Sequence, residues 1–304
     1  MKKLFVLIGL VTGYAVQAQK GDELLVYSLK GTVTVIENNQ ESKVKIGKVL
    51  KPGSTIKTQR EAKLTMVCKE GKPLSVTKEG IFPVTRWKDS CTTSHSSVTS
   101  KYFQYIWDQL YVRSEDYKRT HQGESGAIVR SEAPVRGEED LEIYFDEAFD
   151  TINYASGSFP LSWSINKEYP GKYYFVLLDT KGNTTLYKDS VSESIISIDK
   201  IRKYMKPGNV YKWTVSAKNT EAYEGGVINY ILAKKVSQQV AGFQKLVEVP
   251  EDVAAQYFRI AYLLENSHYL PNAFLYYQKA VNAAPDVDFY REKLVEFKEI
   301  FRLK

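Results

Sequence analysis

Five side chains of the kinds that ligate metals or act as nucleophiles near neutral pH are Cys68, Cys91, His95, His121 and His268. A structural zinc site takes two close pairs of such ligands, and these five hold a single one, Cys91 with His95, so no metal site is expected. Gly123-Glu124-Ser125-Gly126 sets a serine between glycines. A nucleophile elbow needs one more residue after the serine and a strand before it, so a linker serine is the reading. Glu138-Glu139-Asp140 reads as a solvated acidic cluster at a linker-to-strand junction. There is no phosphate-cradling glycine loop and no HExxH, so neither an enzyme nor a cofactor is expected.

What the cysteines do depends on the compartment. Lys2 and Lys3 precede an apolar run over 4–11, and Val16-Gln17-Ala18 supplies small residues for a signal peptidase. Residues 1–18 are therefore expected to be a signal peptide, with Gln19 as the first mature residue. The run falls far short of the roughly 20 residues that span a bilayer. No cysteine borders the cleavage point to take a lipid. The expected product is exported, periplasmic or extracellular, not lipid-anchored and without an integral span after cleavage. In an oxidising compartment two cysteines point to a disulfide, Cys68 to Cys91, contributing about 3 kcal/mol in the chain-entropy model. The net charge of +6 includes the two leader lysines and is evenly scattered, which argues against nucleic acid as a partner.

The positioning elements change character along the 304 residues. From 19 to 91, strand candidates at 24–29, 32–37, 43–46, 55–57, 63–68 and 73–77 alternate with turn signals such as Asn38-Asn39, Pro52-Gly53 and Glu70-Gly71. The order Gly31-x-Val33-x-Val35, Val44-x-Ile46-Gly47-x-x-Leu50-x-Pro52-Gly53-x-x-Ile56-x-Thr58 and Lys63-Leu64-Thr65-Met66-Val67 resembles the FecR-like domain, a β-rich extracytoplasmic module. The resemblance covers about 70 residues of the chain and implies an all-β fold. A FecR regulator carries a cytoplasmic segment and a membrane span ahead of this module. A cleavable leader in their place means that the sigma-factor signalling role is not implied.

A Ser/Thr-rich segment and an aromatic amphipathic helix follow over 92–113. Phe103, Ile106, Trp107, Leu110 and Tyr111 share one helical face, which either packs on the β domain or meets a partner. Residues 114–139, dense in glycine, proline and charge, read as a linker.

Over 140–236, strand candidates lie at 141–145, 161–165, 173–179, 184–189, 195–198, 210–217 and 227–233. Seven short strands with regular turns, Trp163 early and Tyr211-x-Trp213 late, resemble an immunoglobulin-like or fibronectin-like β-sandwich. Tyr169, Tyr173, Tyr174, Tyr187, Tyr204 and Tyr211 could form a glycan-binding face, or could simply be good strand formers.

From 237 to 304 the period becomes helical. Tyr257, Ile260, Ala261, Leu264, Ala273, Tyr277, Ala280 and Pro285 match one tetratricopeptide repeat, with 289–303 as a capping helix. One repeat cannot bury its own face. Its aromatics Tyr257, Phe258, Tyr262, Phe274, Tyr276 and Tyr277 span more than one side of each helix, so part of them must meet the sandwich, a partner or solvent. If the hairpin mainly recruits a partner, a chain ending at Val249 should keep its β domains folded.

The expected fold is thus multidomain, mainly β with an α C-terminus. The expected function is an exported, non-enzymatic scaffold or adaptor with an envelope or cell-surface protein as partner, through Phe103, Trp107, Tyr257, Tyr262, Tyr276 and Tyr277. A glycan- or peptidoglycan-binding protein and an extracytoplasmic sensor component are the alternatives.

Overall fold

The structure, a computed structural model, describes residues 23–91, 97–114, 141–145, 150–181, 184–217 and 223–303. The leader, most of the Ser/Thr segment, nearly all of the linker, His95 and His121 lie outside them. Among the described residues no helix is long and apolar enough to cross a membrane. The chain is mixed β with a helical C-terminal region.

The first β region contains β1 (Leu24–Lys30), β2 (Val33–Glu37), β3 (Gln40–Lys43), β4 (Val49–Leu50), β5 (Thr55–Thr58), β6 (Lys63–Val67), β7 (Pro73–Val76) and β8 (Gly80–Pro83). They pair antiparallel into two four-stranded sheets, ordered β4-β1-β6-β7 and β3-β2-β5-β8. Asn38 and Asn39 both have positive φ, 52° and 61°, as a tight two-residue hairpin requires. Pairing therefore resumes at once with Glu37 opposite Gln40, and the strand expected at 43–46 lies instead at 40–43. A 3₁₀ helix (Val84–Cys91) carries Cys91 back to Cys68, and the two form a disulfide with Cα atoms 5.7 Å apart.

The run Leu24-Leu25-Val26-Tyr27 is buried on both faces of its strand. Leu24 and Val26 join the interior between the two sheets, whereas Leu25 and Tyr27 face out of it. That outward face is covered by α1 (Val98–Val112), started by Ser97, whose side chain accepts a hydrogen bond from the Ser100 N–H. Tyr27 meets the Phe103 ring edge-on at 5.2 Å. At the other end of the contact Gly71 has φ +78°, and a Cβ there would stand 2.3 Å from the Ser100 carbonyl oxygen. Glycine satisfies both the left-handed backbone and the close approach of hairpin to helix.

The second β region has a five-stranded sheet ordered β10-β17-β16-β13-β14, from β10 (Thr151–Tyr154), β17 (Tyr223–Tyr230), β16 (Val210–Ala217), β13 (Tyr173–Asp179) and β14 (Thr184–Val191). β10 joins parallel to β17 and the rest pair antiparallel. Alternation is clean: Tyr173, Phe175 and Leu177 of β13, with Tyr211, Trp213 and Val215 of β16, point inward. Two short ladders supply further core residues, β9 (Ile143–Tyr144) with β12 (Ser164–Ile165) and β11 (Pro160–Ser162) with β15 (Ile195–Ser197). Trp163 breaks what reads as one strand over 161–165 and packs against Trp213 and Tyr173. A one-turn helix, α2 (Ile198–Ile201), follows β15.

The C-terminal helices are α3 (Ala233–Gln244), α4 (Val253–Asn266), α5 (Leu270–Ala283) and α6 (Asp288–Ile300). The helical region thus starts at Ala233, inside the segment expected to be the last strand and ahead of the expected boundary at 237. Ala261, Ala273 and Ala280 are fully buried, and such small side chains let helices approach closely. This layer touches both β regions. Asn153 of β10 donates its N–H to the His268 carbonyl (2.8 Å) and its side-chain amide to the Ser267 carbonyl (2.8 Å). Arg302 donates to Ser194 Oγ (2.6 Å) and Ser164 Oγ (3.3 Å), and Phe301 packs on Phe159. On the other side Tyr262 stacks on Tyr105 of α1 at 4.6 Å. One hydrophobic core therefore runs from β1 and α1 through the helices into the second β region.

Candidate functional site

Three pieces far apart in sequence meet where β1, α1 and the start of α4 converge, and a buried polar cluster fixes the junction. Arg259 lies on α4, on the same side as Ala255 one turn before it, and its side chain is 2% exposed. Its Nε and Nη2 donate to both carboxylate oxygens of Glu251 (2.8 and 2.6 Å), and Nη1 donates to the Phe243 carbonyl (2.6 Å). Burial by itself lowers the Arg259 pKa, but the Glu251 carboxylate more than reverses this and leaves it raised. Glu251 also accepts from the Tyr27 hydroxyl (2.7 Å), which lies 3.0 Å from that of Tyr102. Burial pushes both phenols well above their ordinary range, and the carboxylate of Glu251 adds to it. Beside them Ser28 Oγ donates to Asp252 Oδ2 (2.8 Å), while Asp252 Oδ1 caps α4 at the Ala255 N–H (2.9 Å).

Next to this junction opens a cleft of about 1020 Å³. One wall is the segment between β3 and β4, where Gly47 has φ +84° and turns the chain between Lys45 and Lys48. The opposite wall is the α5–α6 turn and the start of α6, with Asp286, Asp288 and Glu292. Val253 is 56% exposed within the cleft, and Ile46, Leu110 and Phe289 add apolar surface. The walls thus carry opposite charge across an apolar base. Lys48 pairs with Glu37 (2.7 Å), and Arg113 pairs with Glu292 (3.2 Å) and lies over the Phe289 ring. Lys43, Lys45 and Asp286 are exposed and make no ion pair among the described residues.

The residues expected to meet a partner are placed otherwise. Phe103, Trp107 and Tyr277 are buried in the shared core, so they hold the layers together and do not form a partner surface. Tyr262 is half-buried against Tyr102 and Tyr105. Tyr257 and Tyr276 are half-buried on the outside of the helical pair, where Lys279 Nζ lies 4.4 Å from the Tyr276 ring centroid. The six tyrosines weighed for glycan also divide: Tyr173 and Tyr211 are core, whereas Tyr187 and Tyr204 form a ring pair at 5.0 Å. Burial, and then its hydrogen bond to Asp189, push the Tyr187 phenol up to about 12. His268 turns the chain between α4 and α5 with φ 59° and lines a smaller hollow of about 320 Å³ with Glu265 and Lys293. Glu70 lies beside the Cys68–Cys91 pair, but sulfurs bonded to each other are not thiolate ligands.

Sequence reasoning missed the cleft, because its two walls are about 240 residues apart in the chain. No protein-family model matches the chain, and no characterised protein matches it either.

Proposed function

We propose that this chain is an exported, non-enzymatic scaffold or adaptor of the bacterial envelope. In this reading the first β region is FecR-like, the second an immunoglobulin-like sandwich, and α4–α5 a single tetratricopeptide-like hairpin capped by α6. The observation that carries it is the cleft built jointly by the first β region and the helical layer. Concave surfaces at such junctions are where binding groups from separate elements converge. The helices here serve as a clasp between the β regions as well as a wall of the cleft.

The test is affinity purification of the full chain from the native envelope after photo-crosslinking from Val253. Reproducible capture of one envelope or cell-surface protein supports the reading, and absence of any captured protein overturns it. A second reading, glycan binding, is favoured by one observation: the exposed Tyr204 ring pairs with Tyr187 beside Asp189 and Lys200, which pair at 3.2 Å. Retention of the protein on insoluble cell-wall polymer, lost in Tyr204→Ala, would support that reading instead.

A further inference from the structure

We propose that the cleft takes an extended peptide segment of mixed charge, with an apolar side chain on its base, acidic side chains toward Lys43 and Lys45, and a basic side chain toward Asp286. The proposal rests on the adaptor reading above and adds the chemistry of the occupant.

Charge complementarity selects this occupant. Lys43 and Lys45 on one wall, and Asp286 on the other, make no ion pair among the described residues, although both walls line one cleft. Opposite charges at contact distance would pair, as Arg113 and Glu292 do among the same lining residues. The gap therefore leaves two fields of opposite sign facing each other. A polyanion such as a nucleic acid gains at the lysines and is repelled by Asp286, the carboxylate of that wall left over once Asp288 has paired with Arg291 and Glu292 with Arg113. A neutral glycan uses neither wall. A segment bearing both signs gains at both, and only when each charge faces the correct wall.

Size and base agree with a peptide. A volume of about 1020 Å³ is at the upper end of the roughly 300–1,000 Å³ range of small-molecule sites, which suits a short stretch of chain. Val253, 56% exposed in the first turn of α4, and the Phe289 ring give an apolar side chain something to bury against. The charged residues invoked are exposed, so changing their sign does not touch the core.

The experiment uses the full mature chain and four fluorescein-labelled octapeptides with leucine at the centre. One carries glutamates on one side of the leucine and lysines on the other. The others carry glutamates throughout, lysines throughout, or serines throughout. Anisotropy at low salt should show the mixed peptide binding at least tenfold tighter than the other three. The preference should collapse at about 1 M salt, where the Debye length falls to about 3 Å. Lys43→Glu with Lys45→Glu makes both walls acidic and should transfer the preference to the lysine peptide; Asp286→Lys should move it toward the glutamate peptide. Equal affinities for all four, no binding of any, or a preference unmoved by these changes would each overturn the proposal. The native-envelope capture separates the two levels of inference. A partner recovered equally by wild type and the double lysine variant removes the cleft while leaving the adaptor reading intact.

Discussion

Replacing Arg259 with methionine should be among the most damaging single changes available, and the structure sets its size. The guanidinium makes three hydrogen bonds to Glu251, its Nε–H shared between both carboxylate oxygens, and one to the Phe243 carbonyl, with its side chain 2% exposed and that of Glu251 6% exposed. Methionine fills much of the same volume but leaves the Glu251 carboxylate buried, with Tyr27 as its remaining partner in this cluster. An uncompensated buried charge of this kind costs about 3–5 kcal/mol. A protein of this size holds only about 5–15 kcal/mol, so the loss is a large share. Adding Glu251→Gln removes the stranded charge and keeps an acceptor for the Tyr27 hydroxyl. The double variant should recover about 2 kcal/mol or more relative to Arg259→Met. The assay is a double-mutant cycle by urea unfolding, followed by near-ultraviolet circular dichroism of the junction tyrosines. A single-variant cost below about 1 kcal/mol, or strictly additive effects, would refute the view that this pair pins the helical layer to β1 and α1.

Reduction of the Cys68–Cys91 disulfide, which closes a loop of sequence separation 23, should lower stability by about 3 kcal/mol. An unchanged denaturation midpoint in reductant would contradict that. Gly71→Ala should cost about 3 kcal/mol, since a left-handed backbone strains alanine and the new Cβ meets the Ser100 carbonyl at 2.3 Å; a thermal melt within a degree or two of wild type would show that hairpin and helix separate freely. Alkaline unfolding should be steep. Burial raises the phenols of Tyr27, Tyr102, Tyr277 and Tyr290, so their stabilising contribution is complete below the unfolded value near 10 and is lost as pH climbs toward the folded ones. Each such tyrosine removes about 1.4 kcal/mol per pH unit above about 10. Tyrosinate absorbance that rises smoothly while the fold persists would contradict the burial of these groups.

Much of the secondary structure is legible in the sequence wherever one face alone is buried. β13 and β16 alternate so regularly that their bounds coincide with the strand candidates at 173–179 and 210–217. α4 and α5 announce themselves through helical spacing and buried alanines. β10 has no such signal: Thr151–Tyr154 is short and is a strand through parallel pairing with β17, more than 70 residues later. α3 is hidden for a local reason, since its N-cap is Leu232, which offers no side-chain hydrogen bond and reads as the end of a strand. The aromatic face of α1 is visible as a face, but what covers it is not. Tyr27 and Tyr262 come from opposite ends of the chain, and no periodicity reports that meeting.

The same long-range meeting decides what truncation of the C-terminal hairpin can report. Tyr27, Ser28 and Thr65 of the first β region all hydrogen-bond to residues at 250–255, and Asn153, Ser164 and Ser194 of the second region bond to the far ends of the helices. A chain ending at Val249 would uncover Tyr102 and Tyr105, which meet Tyr262, and Phe159, which meets Phe301, so removing the clasp would damage both β regions together. Loss of a partner after such a truncation therefore says nothing specific about where that partner binds. Point changes at exposed Lys43, Lys45 and Asp286 do, because they alter the cleft without loosening the layers. A ligand that bridges the two walls also binds the clasped state alone. It must therefore stabilise the docked helices by mass action, which couples occupancy of the cleft to integrity of the whole chain.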